Sequence, residues 1–285
     1  MRKKFIKSLY TEDNYKMYLD LIKAMKIPYT LTMSNYTMKI ESECINIQFM
    51  RNHISDKAFI LGAMVAKDLK ESGIVPPDVD REEMKYFNFA IPQILKQAEK
   101  KEVYNIDIKS AYASILSSYK LLQPKTDFFL KSVSKRDRLA ALGMLASRKD
   151  VFTHDGTGEA IEHTVIRKDT ANWFFFCVNE VNKLMEDIKK EVGNDFLFYW
   201  VDGIFFTGKR KEFIQDFLIS KGHQSSYDNV TNLKYFEVDE TKYLSYFKGS
   251  EKKVLNLPKE NNEAEKYVLK FLKINNNGHN TKNAT

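Results

Sequence analysis

The sequence predicts an α+β fold: an antiparallel sheet backed by helices, with a smaller α+β segment ahead of it. Three observations predict it. Val103–Leu116 runs from an apolar strand pattern through Asp107 into helix-like sequence. Phe196–Phe206 is an almost unbroken aromatic and β-branched stretch, interrupted only by Asp202-Gly203, the mark of a carboxylate at a hairpin turn. Between these two stretches, Ala171–Lys190 gathers Phe174, Cys177, Val178, Val181, Leu184, Met185 and Ile188 on one helical face, a stripe that packs most simply under a sheet.

The remaining elements follow in order. Glu12–Lys26 has helical spacing through Tyr15, Tyr18, Leu19, Ile22 and Met25, and Tyr29–Met33, Tyr36–Ile40 and Ile45–Met50 read as short strands. Asp56–Ser72 is a second amphipathic helix, and Gly73–Asp80 is a turn-rich break. Arg81–Lys101 resumes a helical pattern interrupted near Pro92. Ser134–Lys149 reads as one basic helix, and His154-Asp-Gly-Thr-Gly as a loop tip rather than a phosphate-cradling loop. Phe213–Ser220 is a short helix, Leu233–Val238, Tyr243–Phe247 and Val254–Leu257 are strands, and Glu260–Ile274 is a terminal helix. Residues 275–285 hold too little apolar material to pack and read as a flexible tail. The chain thus divides into 1–100, a segment without a chemical motif; 101–250, which carries both carboxylates and an insertion at about 119–150; 251–274; and 275–285.

Composition narrows the class. With 285 residues, 43% hydrophobic and 29% charged, the chain can bury a sizeable core. Its longest apolar run, Trp173–Val178, is far too short to span a bilayer, and no secretory leader is evident, so a cytoplasmic location without membrane contact is expected. Cys44 and Cys177 lack metal-ligand or disulfide spacing and are expected to be small buried hydrophobes. The formal net charge of +7 fits a polyanion-binding surface. Lys131, Lys135, Arg136, Arg138, Arg148 and Lys149 surround the basic helix, while Lys209, Arg210 and Lys211 follow the second carboxylate.

Two carboxylates on adjacent strand ends can hold a pair of divalent ions about 3.5–4 Å apart, the arrangement that serves both attacking and leaving oxygens in phosphoryl transfer. Glu237 or Asp239, on a following strand, is a candidate third acid, with a plain surface role as the alternative. No Asp-x-Glu segment with further spaced acids provides for a proofreading exonuclease.

Asp107-Ile-Lys-Ser-Ala-Tyr-Ala-Ser resembles the first palm motif of family B DNA polymerases, D-x-x-S-x-Y-P-S, with Ala113 in the proline position. Phe198-Tyr-Trp-Val-Asp-Gly is similar to their last motif, Y-x-D-T-D-S, with Asp202 on the second acid, Trp200 on the first and Gly203 on the serine. Their middle motif, K-x-x-x-N-S-x-Y-G, finds its best register at Arg138–Ala146, where charge and helical character alone survive. The resemblance covers roughly residues 100 to 250 and implies a polymerase palm with a short fingers insertion and a minimal thumb. It implies that Asp107, the Ile108 carbonyl and Asp202 bind two Mg2+ ions, with Mn2+ able to substitute. It further implies that Tyr112 lies beneath the incoming sugar as a steric gate, beside Ser110. Arg138, Lys135 and Lys131 would hold the nucleotide phosphates; Lys209, Arg210, Lys211, Arg148 and Lys149 would hold nucleic acid.

The implied activity is a small DNA-directed DNA polymerase without proofreading, acting on a DNA template-primer with nucleoside triphosphates, alongside a replication partner or clamp subunit. Two alternatives stay open. Asp107-Ile-Lys-Ser-Ala-Tyr also looks like the D-I-K-x-A-F strand of reverse transcriptases, and Tyr199–Asp202 resembles their Y-x-D-D, with Gly203 where the second acid belongs and no Pro-Gln-Gly between. A catalytically inactive palm that binds nucleic acid or scaffolds a complex is the other.

Overall fold

The computed structural model describes residues 4–34, 36–50, 55–79, 84–157 and 159–257. The expected helix at Glu260–Ile274 and the tail at 275–285 lie outside them. The first stretch of chain holds β1 (Lys4–Leu9), α1 (Glu12–Met25), β2 (Tyr29–Ser34), β3 (Thr37–Ser42), β4 (Ile45–Met50) and α2 (Asp56–Glu71). The second holds β5 (Phe87–Phe89), α3 (Pro92–Ala98), β6 (Val103–Ile108), α4 (Ala111–Ser118) and α5 (Pro124–Ser132). The third holds α6 (Lys135–Gly143), β7 (Arg148–His154) and β8 (Ala160–Arg167). The fourth holds α7 (Ala171–Val192), β9 (Phe196–Trp200), β10 (Gly203–Thr207), α8 (Lys211–Ser220), β11 (Ser225–Val238), β12 (Thr241–Lys248) and β13 (Glu251–Leu257).

These stretches alternate between two compact units. Residues 1–70 and 129–171 form one, and residues 71–128 and 172–285 form the other. Segment boundaries at 101 and 251 therefore do not coincide with the units, because strands far apart in sequence pair within each sheet.

The first unit is built on a six-stranded sheet of order β1-β4-β3-β2-β7-β8, antiparallel except where β1 runs parallel to β4. Thr11 starts α1 by accepting from the Asn14 amide at 3.2 Å, and Lys26 ends it in the left-handed conformation. The apolar side of α1 delivers Ile22 to a core of Tyr29, Leu31, Met38, Ile40, Ile47 and Phe49. Sequence reading expected one helix over Ser134–Lys149; the structure corrects this. Ser134 caps α6 through the Asp137 amide at 3.1 Å, the helix ends at Gly143, and a 3-10 turn at Met144–Ala146 leads into β7. Arg148 and Lys149 are thus exposed strand residues at the start of β7, which pairs with β2. Of the tip expected at His154–Gly158, Gly158 lies outside the described residues; Gly156, between β7 and β8, has φ 94 and its missing side chain leaves room for the backbone of Lys26 and Ile27.

The second unit is a seven-stranded, wholly antiparallel sheet of order β13-β12-β11-β6-β10-β9-β5, backed by helices. On one face, Leu95 and Ala98 of α3 cover Val103, Phe198, Phe205, Val230, Leu244 and Tyr246. Toward the other, the Tyr199 hydroxyl lies within hydrogen-bonding distance of Asn182 and Glu186 of α7, at 2.6 and 2.8 Å, and Asn88 donates to Glu186 at 2.8 Å. These partners offset the cost of burying the tyrosine hydroxyl.

The helical pattern expected over Arg81–Lys101 is also corrected. Phe87 and Phe89 alternate as β5, and Pro92 opens the short α3 with its fixed φ. Phe87 pairs with Trp200, and their rings stack at 5.5 Å and 22°. Of the two cysteines, Cys177 is buried as expected, whereas Cys44 is exposed. Among the described residues, no helix is long and apolar enough to cross a membrane.

Candidate functional site

β6 is the middle strand of its sheet, and its polar residues fall on the same face as the α3 core. Asp107 lies opposite Gly203 of β10 on one side and Ser226 of β11 on the other. The Ile108 amide donates to the Asp202 carbonyl at 2.9 Å, which fixes Asp107 and Asp202 at the same end of adjacent strands. Asp202 sits in a two-residue turn with Val201, since Trp200 pairs with Gly203. Val201 has φ 56, a left-handed conformation that β-branched side chains avoid at a cost of about 1–3 kcal/mol. Its amide donates to the Tyr86 carbonyl at 2.6 Å, which ties the turn down.

Gly203 permits the whole arrangement. A Cβ there would collide with Oδ1 of Asp107 and lie 3.2 Å from Nδ2 of Asn105. The space goes to a polar cluster. Lys248, on β12, forms an ion pair with Asp107 and another with Asp228 of β11 at 2.9 Å. Its ammonium also donates to Oδ1 of Asn105 at 2.9 Å, while Nδ2 of Asn105 donates to Oδ1 of Asp107 at 3.3 Å. Asn105 is completely buried and cannot turn to water instead. Burial alone would push the Lys248 ammonium down, but hydrogen bonds and charge from Asp107 and Asp228 hold it above its ordinary value.

Beyond Asp107 the strand turns into α4 through Ser110, at φ 54. In the first turn of α4, Tyr112 lies half-buried and edge-on to Phe174, at 5.4 Å and 69°. Its hydroxyl is held well above the ordinary value, by burial first and by the negative charge of Asp202 second. Tyr112 and Asp202 are therefore electrostatic neighbours. Ser114, further along α4, hydrogen-bonds the His223 ring at 3.0 Å, and burial pushes that imidazole below its ordinary value.

Comparison with protein-family models, curated proteins and solved structures gives no match. Among the described residues, no group of three or more His, Cys, Asp or Glu is arranged to hold a metal ion. An ionised carboxylate offers about four lone-pair directions on its two oxygens. On Asp107, one oxygen already meets the Lys248 ammonium and the other accepts from Asn105. Both oxygens of Asp107 therefore already have a partner, which opposes a pair of divalent ions sharing this carboxylate.

The candidate third acids do not join this cluster. Ser226 marks where β11 passes Asp107, whereas Glu237 pairs with Lys242 near the strand's other end, roughly 35 Å away at 3.3 Å per residue. Glu237 instead accepts from the Tyr235 hydroxyl, and Asp239 follows it past the end of β11. The acid that does join is Asp228, two residues beyond Ser226.

The basic candidates separate by unit. Lys131, Lys135, Arg138, Arg148 and Lys149 belong to the first unit, and Asp107, Ile108, Ser110, Tyr112, Asp202, Lys209, Arg210 and Lys211 to the second. Arg138 donates to the Leu130 carbonyl at 3.2 Å, so its guanidinium helps hold α5 to α6. Arg210 approaches Asp195 at 3.9 Å, and the Lys211 ammonium sits 4.1 Å above the Tyr227 ring. Lys209 is exposed.

Proposed function

We propose that the chain is a template-dependent nucleotidyltransferase, most simply a small DNA polymerase with a palm-like sheet, acting on a template-primer with nucleoside triphosphates. One observation carries the reading. Asp107 on the central strand and Asp202 on the neighbouring hairpin sit at the same end of the sheet, with Tyr112 in the first turn of the helix that follows Asp107. Two acids at one end of adjacent strands support this reading, because metal-assisted nucleotide addition needs carboxylates placed together.

Magnesium, when bound, would lower the pKa of a primer 3′-hydroxyl and offset the charge of the triphosphate. Asp202 and the remaining lone pairs of Asp107 are the groups that would hold it, beside the Ile108 backbone. The Tyr112 ring, fixed against Phe174, would flank the incoming sugar and exclude a 2′-hydroxyl by contact. Lys209, Arg210 and Lys211 would meet backbone phosphate.

Primer extension on labelled DNA and RNA templates, with each nucleotide set and in Mg2+ and Mn2+, tests the reading and separates DNA-templated from RNA-templated synthesis. No extension under any condition would overturn it. A second reading, an inactive palm that binds nucleic acid as a scaffold subunit, is favoured by the lysine on Asp107, which occupies a carboxylate that catalysis would need.

A further inference from the structure

Lysine ammonium has three N–H donors and no acceptor. At Lys248 all three have an oxygen partner, contributed by Asp107, Asp228 and the amide carbonyl of Asn105. Two carboxylates and an amide oxygen converging on one point form the kind of hard-oxygen cage that also suits Mg2+ or Mn2+. The cage is rigid for reasons visible in the sheet. Asp107 and Asn105 alternate on β6, Asp228 is paired directly with Asn105, and Lys248 is paired with Val230 one strand further out. All four side chains therefore share one face of three adjacent strands.

We infer that the Lys248 ammonium permanently fills a cation position beside Asp107, standing where one of a pair of divalent ions would otherwise bind, so that the chain carries that cation itself. The inference rests on the nucleotidyltransferase reading for its meaning, but its chemistry concerns only who occupies the oxygen cage. A fixed ammonium brings one positive charge where a divalent ion brings two, and it cannot be chelated away. It also orients the Asp107 carboxylate, which is held between Lys248 and Asn105 before any ligand arrives.

The test counts Mn2+ bound to the purified full chain, by electron paramagnetic resonance of the free ion, in the wild type, Lys248→Ala and Lys248→Arg. Lys248→Ala is expected to bind one more ion than the wild type, and Lys248→Arg the same number as the wild type. In Lys248→Ala combined with Asp228→Asn the additional ion should be lost again. Added Mn2+ should raise the melting temperature of Lys248→Ala more than that of the wild type, because the metal replaces a missing cation between two carboxylates. Should Lys248→Ala fail to fold alone, refolding in Mn2+ is expected to recover it, and failure there too would overturn the inference.

Two ions in the wild type, or a count that does not rise in Lys248→Ala, would also overturn it, whatever primer extension gives. No ion in the wild type and one in Lys248→Ala would support the lysine's place in the cage while removing the divalent-ion reading of Asp202. Failure of the inference and failure of the functional reading are thus told apart.

Discussion

Gly203 lies directly across the β-ladder from Asp107, and the side chain it lacks is what leaves room for the Asp107 carboxylate. Its φ is not positive, so an alanine there is opposed by contact rather than by backbone strain. Gly203→Ala should destabilise the chain by about 1–3 kcal/mol, the usual cost of overpacking. Urea unfolding measures it. Shortening the opposing residue in the double variant with Asp107→Ala should recover much of the loss, and a loss that persists undiminished would show that the clash is elsewhere.

Asp107→Asn and Asp202→Asn should each abolish nucleotide incorporation while leaving the fold largely intact. The ion pair with Lys248 is about a third exposed on both sides, so its loss should cost only about 1 kcal/mol or less. Circular dichroism and primer extension on the same preparations separate the two effects. Incorporation that survives both substitutions would move the chemistry to other residues.

Tyr112 offers a test with a built-in control. Tyr112→Val should increase ribonucleotide use relative to deoxyribonucleotide use, at a stability cost of up to about 3 kcal/mol from the vacated contact with Phe174. Tyr112→Phe keeps the ring and should leave sugar preference unchanged. Competition between the two nucleotide types in single-addition assays is the measurement, and an unchanged ratio in Tyr112→Val would leave the ring a packing role only.

His223 should make stability depend on pH. Burial lowers its folded pKa below the ordinary 6.5, so the unfolded chain binds the proton more readily. The contribution is complete above about 6.5 and is lost as pH falls from there through the lowered folded value. Comparing urea midpoints at pH 7.5 and pH 5.5 for the wild type and His223→Gln isolates it, since the carboxylates titrate in both. The variant should lose less stability on acidification; an equal loss would mean that the imidazole takes up its proton as readily in the folded chain as in the unfolded one.

Lys209, Arg210 and Lys211 predict a salt signature. Changing all three to alanine should weaken template binding and reduce the log–log salt slope by as much as about 3, near one unit for each phosphate contact. Lys211 also covers Tyr227, so Lys211→Ala alone is the control for lost packing. Fluorescence anisotropy across a salt series reads the slope, and a triple variant with the wild-type slope would remove this segment from the interface.

The strands and helices with one repeating period were legible. α1, β4, α2, α7 and the β9–β10 hairpin lie where apolar spacing put them, and the same signal brought out Asp107 and Asp202. What escaped was set by pairing across the chain. Arg148 and Lys149 continue a helical charge pattern, yet β2 draws them into a strand. Phe87 and Phe89 become a strand because β9 has an open edge for them to pair with. Asp228 and Lys248 look like ordinary exposed charges among many, and their meaning comes from lying on strands flanking β6. The alternation of Ser226 and Asp228 within a strand is the one local hint of a polar face near Asp107.

The interleaving of the two units has a consequence for biogenesis. A ribosome delivers β2 long before β7 and β6 long before β10 and β11, so both sheets spend part of synthesis with an unpaired edge exposed. Neither unit can close until sequence beyond its partner's first stretch has emerged, which makes folding late, non-local and slow by the usual dependence on contact separation. A fragment cut near residue 100 would leave β1 to β4 without β7 and β8, so any test of the proposed chemistry needs the chain expressed whole, with chaperone capacity to spare.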